Sequence, residues 1–125
     1  MTASFTSPIE VAKLAWEPSL GMAKLTYHTV ANSATELHDL LGGYLEVVRL
    51  PHQNAFDGLI GLVDEDGTRP DKQLSYNFPA TMLANVQIVG PMLIVRALNA
   101  DFVSLTDRDK VMLGTFMANL TAVQF

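Results

Sequence analysis

The chain contains no cysteine. That excludes disulfides, thiol nucleophiles and zinc sites built on Cys ligands. Basic residues are scarce: eight Lys and Arg stand against thirteen Asp and Glu, for a net charge of −5. With no basic block among them, a nonspecific grip on nucleic acid is not expected. The acids form only one cluster, Asp64-Glu65-Asp66, far too sparse for mimicry of a DNA backbone. Long apolar runs are missing as well. A bilayer span needs about 20 such residues, and the longest stretch, Val86 to Leu98, is interrupted by Gln87, Gly90, Pro91 and Arg96. The N-terminus, Met1 to Pro8, lacks a basic region followed by an apolar core, so no signal peptide is expected. Together these absences lead to the expectation of a cytoplasmic protein with no membrane partner.

Catalytic signatures are absent too. There is no Gly-x-Ser-x-Gly elbow, no phosphate-cradling Gly-x-x-x-x-Gly-Lys loop and no dinucleotide fingerprint. His28, His38 and His52 fall on three different segments, with no helical i, i+4 pair and no metal-ligand spacing. Asp64, Asp66 and Gly67 resemble the start of a calcium loop, but the twelfth position, where a closing Glu belongs, is Ser75. A turn is the better reading of that stretch. Glu46 with Asp57 or Asp64 is the one remaining acid–base pairing, and its separation is not legible in sequence. The expectation is a protein that is not an enzyme, with no cofactor and no metal.

What is present describes a folded object. One hundred and twenty-five residues are one domain, and 49% hydrophobic with 17% charged residues are globular values. The low charged fraction fits either a self-association surface, making the chain a homo-oligomer, or a well-packed monomer with extra burial. Residues 1–8 read as a loose tail ahead of a single domain over 9–125. Ile9 to Glu17 and Met22 to Val30 alternate like strands around Pro18-Ser19-Leu20-Gly21, the pattern of a hairpin. Ser33-Ala34-Thr35-Glu36 is a capping box, Leu37, Leu40 and Leu41 form a helical stripe, and Gly42-Gly43 stops it. Tyr44 to Leu50 and Phe56 to Val63 read as strands, then Asp64 to Gly67 as a hairpin turn with Gly67 at positive φ. Ala80 to Ala84 reads as one helical turn, and Val86 to Val89 and Met92 to Leu98 as strands broken at Gly90-Pro91. Thr106 is the expected N-cap of a final helix, with Asp107 and Asp109 at its positive end. The fold class is therefore α+β: a mostly antiparallel sheet of five or six strands, with helices over 33–41 and 106–120 packed on one face.

Five segments in order carry a family likeness. They are Gly42-Gly43-Tyr44-Leu45-Glu46-Val47-Val48, Val63-Asp64-Glu65-Asp66-Gly67, Leu74-Ser75-Tyr76-Asn77, Ile88-Val89-Gly90, and Asp101-Phe102-Val103-Ser104-Leu105-Thr106-Asp107. Over residues 10–117 the chain resembles domain-of-unknown-function family 3846, found in phages, prophages and conjugative elements. It departs from that pattern at Asp64 and Asp66, where the family usually has Asn and Glu, at Phe78 where it tends to have a base, and at Pro91 where it usually has Asp. The resemblance implies an accessory protein of a mobile element, acting inside a bacterial cell.

Two kinds of partner follow. One is a host or defence protein that the chain binds and modulates, read from the surplus apolar residues and the missing catalytic motifs. Met82, Met92, Met112 and Met117 are candidates for an adaptable surface there, or for ordinary core. The other is a small nucleotide-like ligand sequestered in counter-defence. For that ligand Tyr76 and Phe78 supply stacking rings, Asn77 a donor–acceptor edge, and Arg69, Lys72 or Arg96 a phosphate contact. The competing reading makes Tyr76 and Phe78 core anchors of a long loop and gives Asn77 to buried backbone groups.

Overall fold

The computed structural model describes residues 8–17, 19, 21–51, 58–67, 69–99 and 101–123. The reading of a loose N-terminal tail, His52 and Asp57 fall outside them. Strands β1 (Ile9–Glu17) and β2 (Met22–Val30) form the expected hairpin, in register from Ile9 opposite Val30 to Glu17 opposite Met22. Helix α1 (Ala34–Leu41) follows. The Ser33 hydroxyl accepts the Glu36 N–H at 3.2 Å, and Gly42, at φ 88°, closes the helix by donating to the His38 carbonyl. Only half of the capping box forms, because the Ser33 N–H donates to the Ala31 carbonyl and has no need of Glu36.

A second hairpin pairs β3 (Leu45–Arg49) with β4 (Leu59–Asp64). Gly61 sits at its centre because a Cβ there would lie 2.7 Å from the Met92 sulfur and 2.8 Å from a Val48 methyl. A 3-10 turn at Pro70–Lys72 leads to α2 (Phe78–Ala84), then to β5 (Met92–Leu98), β6 (Asp101–Val103) and α3 (Asp107–Val123). The strand order is β2-β1-β5-β4-β3, all neighbours antiparallel, with β6 paired to the far end of β5. The class is α+β, with a six-stranded antiparallel sheet and three α-helices among the described residues. Among the described residues no helix is long and apolar enough to cross a membrane.

The placement of the helices corrects the expectation of a single covered face. On β5, Met92 and Ile94 join one apolar cluster, with Leu83 of α2 and Leu113 of α3. Leu93 and Val95 join another, with Leu37 and Leu41 of α1. Consecutive strand side chains point to opposite sides, so α2 and α3 cover a front face and α1 covers the back. All four of those β5 residues are 0% exposed, as befits the middle strand of three layers. Three smaller readings change as well. Residues 86–89 are not a strand; only an isolated bridge joins Val89 to Tyr76, and the chain turns at Gly90. The α2 helix begins at Phe78 rather than Ala80. Finally, Asp64 to Gly67 leads into the 3-10 turn instead of a partner strand, and Gly67 serves close packing rather than positive φ, since a Cβ would meet the Asp64 and Val89 carbonyl oxygens at 3.1 and 3.3 Å.

Candidate functional site

The six residues singled out from sequence take different places. Asn77 is entirely buried. As the N-cap of α2 its Oδ1 accepts the Ala80 N–H at 3.1 Å, while its Nδ2 donates to the Leu14 and Gly90 carbonyls, both at 2.9 Å. Every contact is to backbone, so its amide edge is used inside the fold. The three bases each sit against carboxylates. Arg69 bonds Asp71 at 2.7 Å and lies 3.7 Å from Asp66. Lys72 bonds Asp64 at 2.8 Å. Arg96 grips Asp109 through two hydrogen bonds of 2.7 and 2.6 Å. Tyr76 is exposed beside the Val89 bridge. Phe78 opens onto a cleft that none of the other five lines.

Among the described residues Asp64 and Asp109 are the buried carboxylates. At Asp64, burial pushes the pKa up, but the Lys72 ammonium, the Asp66 N–H and the nearby Arg69 charge together bring it below the ordinary value. At Asp109, burial again pushes up and is outweighed by Arg96 and by Thr106, whose N–H donates to Oδ2 at 2.8 Å. The Asp109 N–H donates in return to the Thr106 hydroxyl, a reciprocal cap with Asp in the Glu position. Both carboxylates are more acidic folded than unfolded. Their contribution is therefore present above the unfolded pKa, about 3.9, and lost as pH falls through the lower folded values. Denaturant titrations run stepwise from neutral pH to below about pH 4 should show stability falling with acid. Lys72→Met should lose part of that dependence, because Asp64 then no longer gains from being charged in the folded state.

The histidines make local contacts: His28 is 2.8 Å from the Thr26 hydroxyl and His38 meets the Tyr44 ring edge-on. Among the described residues no group of His, Asp and Glu is arranged to hold a metal. Met92 belongs to the core, and Met112 and Met117 pack against it.

The feature that sequence reasoning did not single out lies at the turn end of the first hairpin. Trp16 is on the same side of β1 as Ala12 and Leu14, but one step beyond the last β1–β5 pair, where the sheet narrows to two strands. Its opposite number is Ala23, too small to cover the indole. Asn77 ties the start of α2 to the Leu14 carbonyl, and that bond brings Phe78 alongside. Met22, Pro79, Met117 and Leu120 complete a cleft of about 260 Å³ with no ionisable side chain among the described residues of its lining. Trp16, Met22 and Phe78 are 41%, 43% and 38% exposed. Aromatic and methionine side chains are the types enriched where proteins meet, and thioether–ring contacts let such a surface adapt. The sequence signal was there: Trp16 continues the inward row of β1 into a turn, where the core has run out.

A second hollow, about 200 Å³, lies between β3, β4 and residues 86–89, with Glu46, Asp64 and Glu65 in its wall. Asp64 is already committed to Lys72, so Glu46 and Asp64 do not make an acid–base pair of free carboxyls. No protein-family model matches the chain, and neither a curated protein nor a solved structure matches it.

Proposed function

We propose that this chain is a non-catalytic binding protein that holds an apolar segment of another protein in the Trp16–Phe78 cleft. The observation behind this reading is the convergence of Trp16, Met22 and Phe78, each more than a third exposed, on one cleft without charged lining among the described residues. Fully burying an aromatic or thioether side chain is worth about 1.5–3 kcal/mol; Trp16, Met22 and Phe78 each keep about two fifths of their surface exposed, so a partner that fills the cleft gains a fraction of that from each. The resemblance to family 3846 supplies the setting: an accessory protein of a phage or other mobile element that binds and modulates a host or defence protein. A nucleotide ligand is the weaker reading, because phosphates need cations and Arg69, Lys72 and Arg96 are each held by carboxylates away from the cleft.

Site-specific photo-crosslinking tests the proposal. A photo-reactive phenylalanine analogue replaces Met22 in one variant and the exposed Arg108, at the opposite end of α3, in another. In a lysate of the organism that carries the gene, the Met22 variant should give a discrete protein adduct that Trp16→Ser abolishes. Equal labelling from both positions, or none from Met22, would sink the idea. Nucleotides and cyclic nucleotides should leave the melting temperature unchanged; a rise at saturating ligand would put the small-molecule reading first, since native-state binding must stabilise.

A further inference from the structure

The outer edge of β3 presents hydrogen-bonding groups whose direction follows from the bonds around it. The Glu65 N–H donates to the Tyr44 carbonyl at 2.8 Å, so these two residues form a hydrogen-bonded pair at the start of the β3–β4 ladder. Antiparallel pairs alternate. Glu46 and Val48 therefore exchange bonds with Val63 and Gly61, while Leu45, Val47 and Arg49 turn their N–H and C=O groups away from β4. The next ladder gives the same alternation independently: the Ala97 N–H donates to the Gly58 carbonyl at 2.8 Å, which directs Ile60 and Leu62 toward β5 and leaves Gly61 and Val63 for β3. Among the described residues no strand pairs with β3 on its outer side.

Native edges are commonly blunted by lysine, proline or a bulge. The β3 strand has none of these; its register against β4 is unbroken over all five residues. It carries one acid, Glu46, and one base, Arg49, and its central Val47 is 59% exposed. The other edge differs: β2 carries Lys24 and no acid, so pairing it with a copy of itself brings in ammonium groups with no carboxylate to offset them.

The geometry points to the β3 edge as a self-pairing surface whose partner is a second copy of this chain, docked antiparallel with Val47 opposite Val47. A two-fold axis normal to the sheet keeps each face on its own side, so facing residues must match in parity. Val47 faces itself and Leu45 faces Arg49, and these are the residues whose backbone groups point outward. Glu46 then faces Val48, so no like charges lie directly opposite, an arrangement that would weaken the pairing. The two six-stranded sheets become one continuous sheet. The contact is small, which places it among the weak, concentration-dependent associations. It leaves the Trp16 cleft, on the far side of the sheet order, open in both copies.

Sedimentation equilibrium and a cysteine trap test this. The weight-average mass of the wild type should rise from 13.6 kDa toward twice that value between micromolar and millimolar concentration. Val47→Lys, which sets two ammonium groups face to face at an exposed position, should hold the mass at the monomer value without lowering the melting temperature. Because the chain has no cysteine, Val47→Cys gives an unambiguous second readout. Facing Cα atoms in a hydrogen-bonded pair lie about 5.5 Å apart, within disulfide reach, so mild oxidation should link the copies. Thr29→Cys on the exposed β2 edge should link far more slowly. A flat wild-type mass, an equal rise in Val47→Lys, or equal trapping at Thr29 would each overturn the assignment.

Discussion

Asn77→Ala should lower the melting temperature by roughly 12–20 °C. The truncation takes a hydrogen-bond partner from three groups in a site with no solvent exposure: the Ala80 N–H, the Gly90 carbonyl and the Leu14 carbonyl, the last of which still faces Met92 of β5. A buried group left unsatisfied costs about 1–3 kcal/mol. Three such groups do not add fully, so a loss of about 3–5 kcal/mol is the expectation, in the range reserved for broken buried networks. Asn77→Asp separates hydrogen bonding from packing. It keeps the shape and the Ala80 bond but points an oxygen at two carbonyl oxygens. Its carboxyl is then favoured neutral in the folded state, so the folded pKa lies above the unfolded one. The variant should be least stable at neutral pH and recover, relative to wild type, as pH falls toward about 4. Calorimetry or thermal denaturation at the two pH values checks both parts. A loss of under about 1 kcal/mol in Asn77→Ala would show that the fold does not depend on the tie between α2 and β1.

The second large effect concerns Arg96 and Asp109. Asp109→Ala leaves a guanidinium that is only 26% exposed without its bidentate partner and removes the acceptor of the Thr106 N–H. Breaking one half of a buried pair costs about 3–5 kcal/mol. Replacing both halves, as in Arg96→Met with Asp109→Leu, should restore most of that stability, because desolvating the two charges is itself expensive. The deficit left in the double variant is the reciprocal half of the cap, the Thr106 N–H without its carboxylate acceptor, since the Thr106 hydroxyl still caps the residue-109 N–H. A double-mutant cycle by urea denaturation measures the coupling. If the double variant is as unstable as Asp109→Ala, the pair is doing more than balancing charge between β5 and α3.

Much of the scaffold was legible because its local signals agree. The alternation on either side of residues 18–21 yields the first hairpin, while its register, from Ile9 opposite Val30 to Glu17 opposite Met22, is set in the structure. Ser33 and Gly42 bracket α1, and Thr106 starts α3. What escaped has a common physical cause. The β5 strand is apolar on both faces, so its own sequence cannot say which helix covers which side; the helical stripe of α1 likewise states that it is buried, not against what. The β6 strand has only three residues, too few to alternate. Asn77 could be read as satisfying buried backbone groups or as a recognition edge, and only its three backbone partners decide, each supplied by a different part of the chain. The cleft depends on Trp16 and Leu120, which lie more than a hundred positions apart, and on the small size of Ala23 opposite the indole. No window of sequence contains that arrangement.

The strand order β2-β1-β5-β4-β3 has a consequence for how the molecule is made. Both hairpins leave the ribosome before the strand that joins them, and an isolated two-stranded hairpin is marginal in water. Until Met92–Leu98 has emerged there is no seam along which the halves can zip. At about 5–20 residues per second, synthesis therefore passes through an interval of seconds in which Leu62 and Leu14 are complete in sequence yet uncovered in space. Nascent chains halted before residue 92 are expected to be chaperone clients, and those released after residue 98 to close the sheet in one late, long-range step of the kind that makes non-local topologies slow.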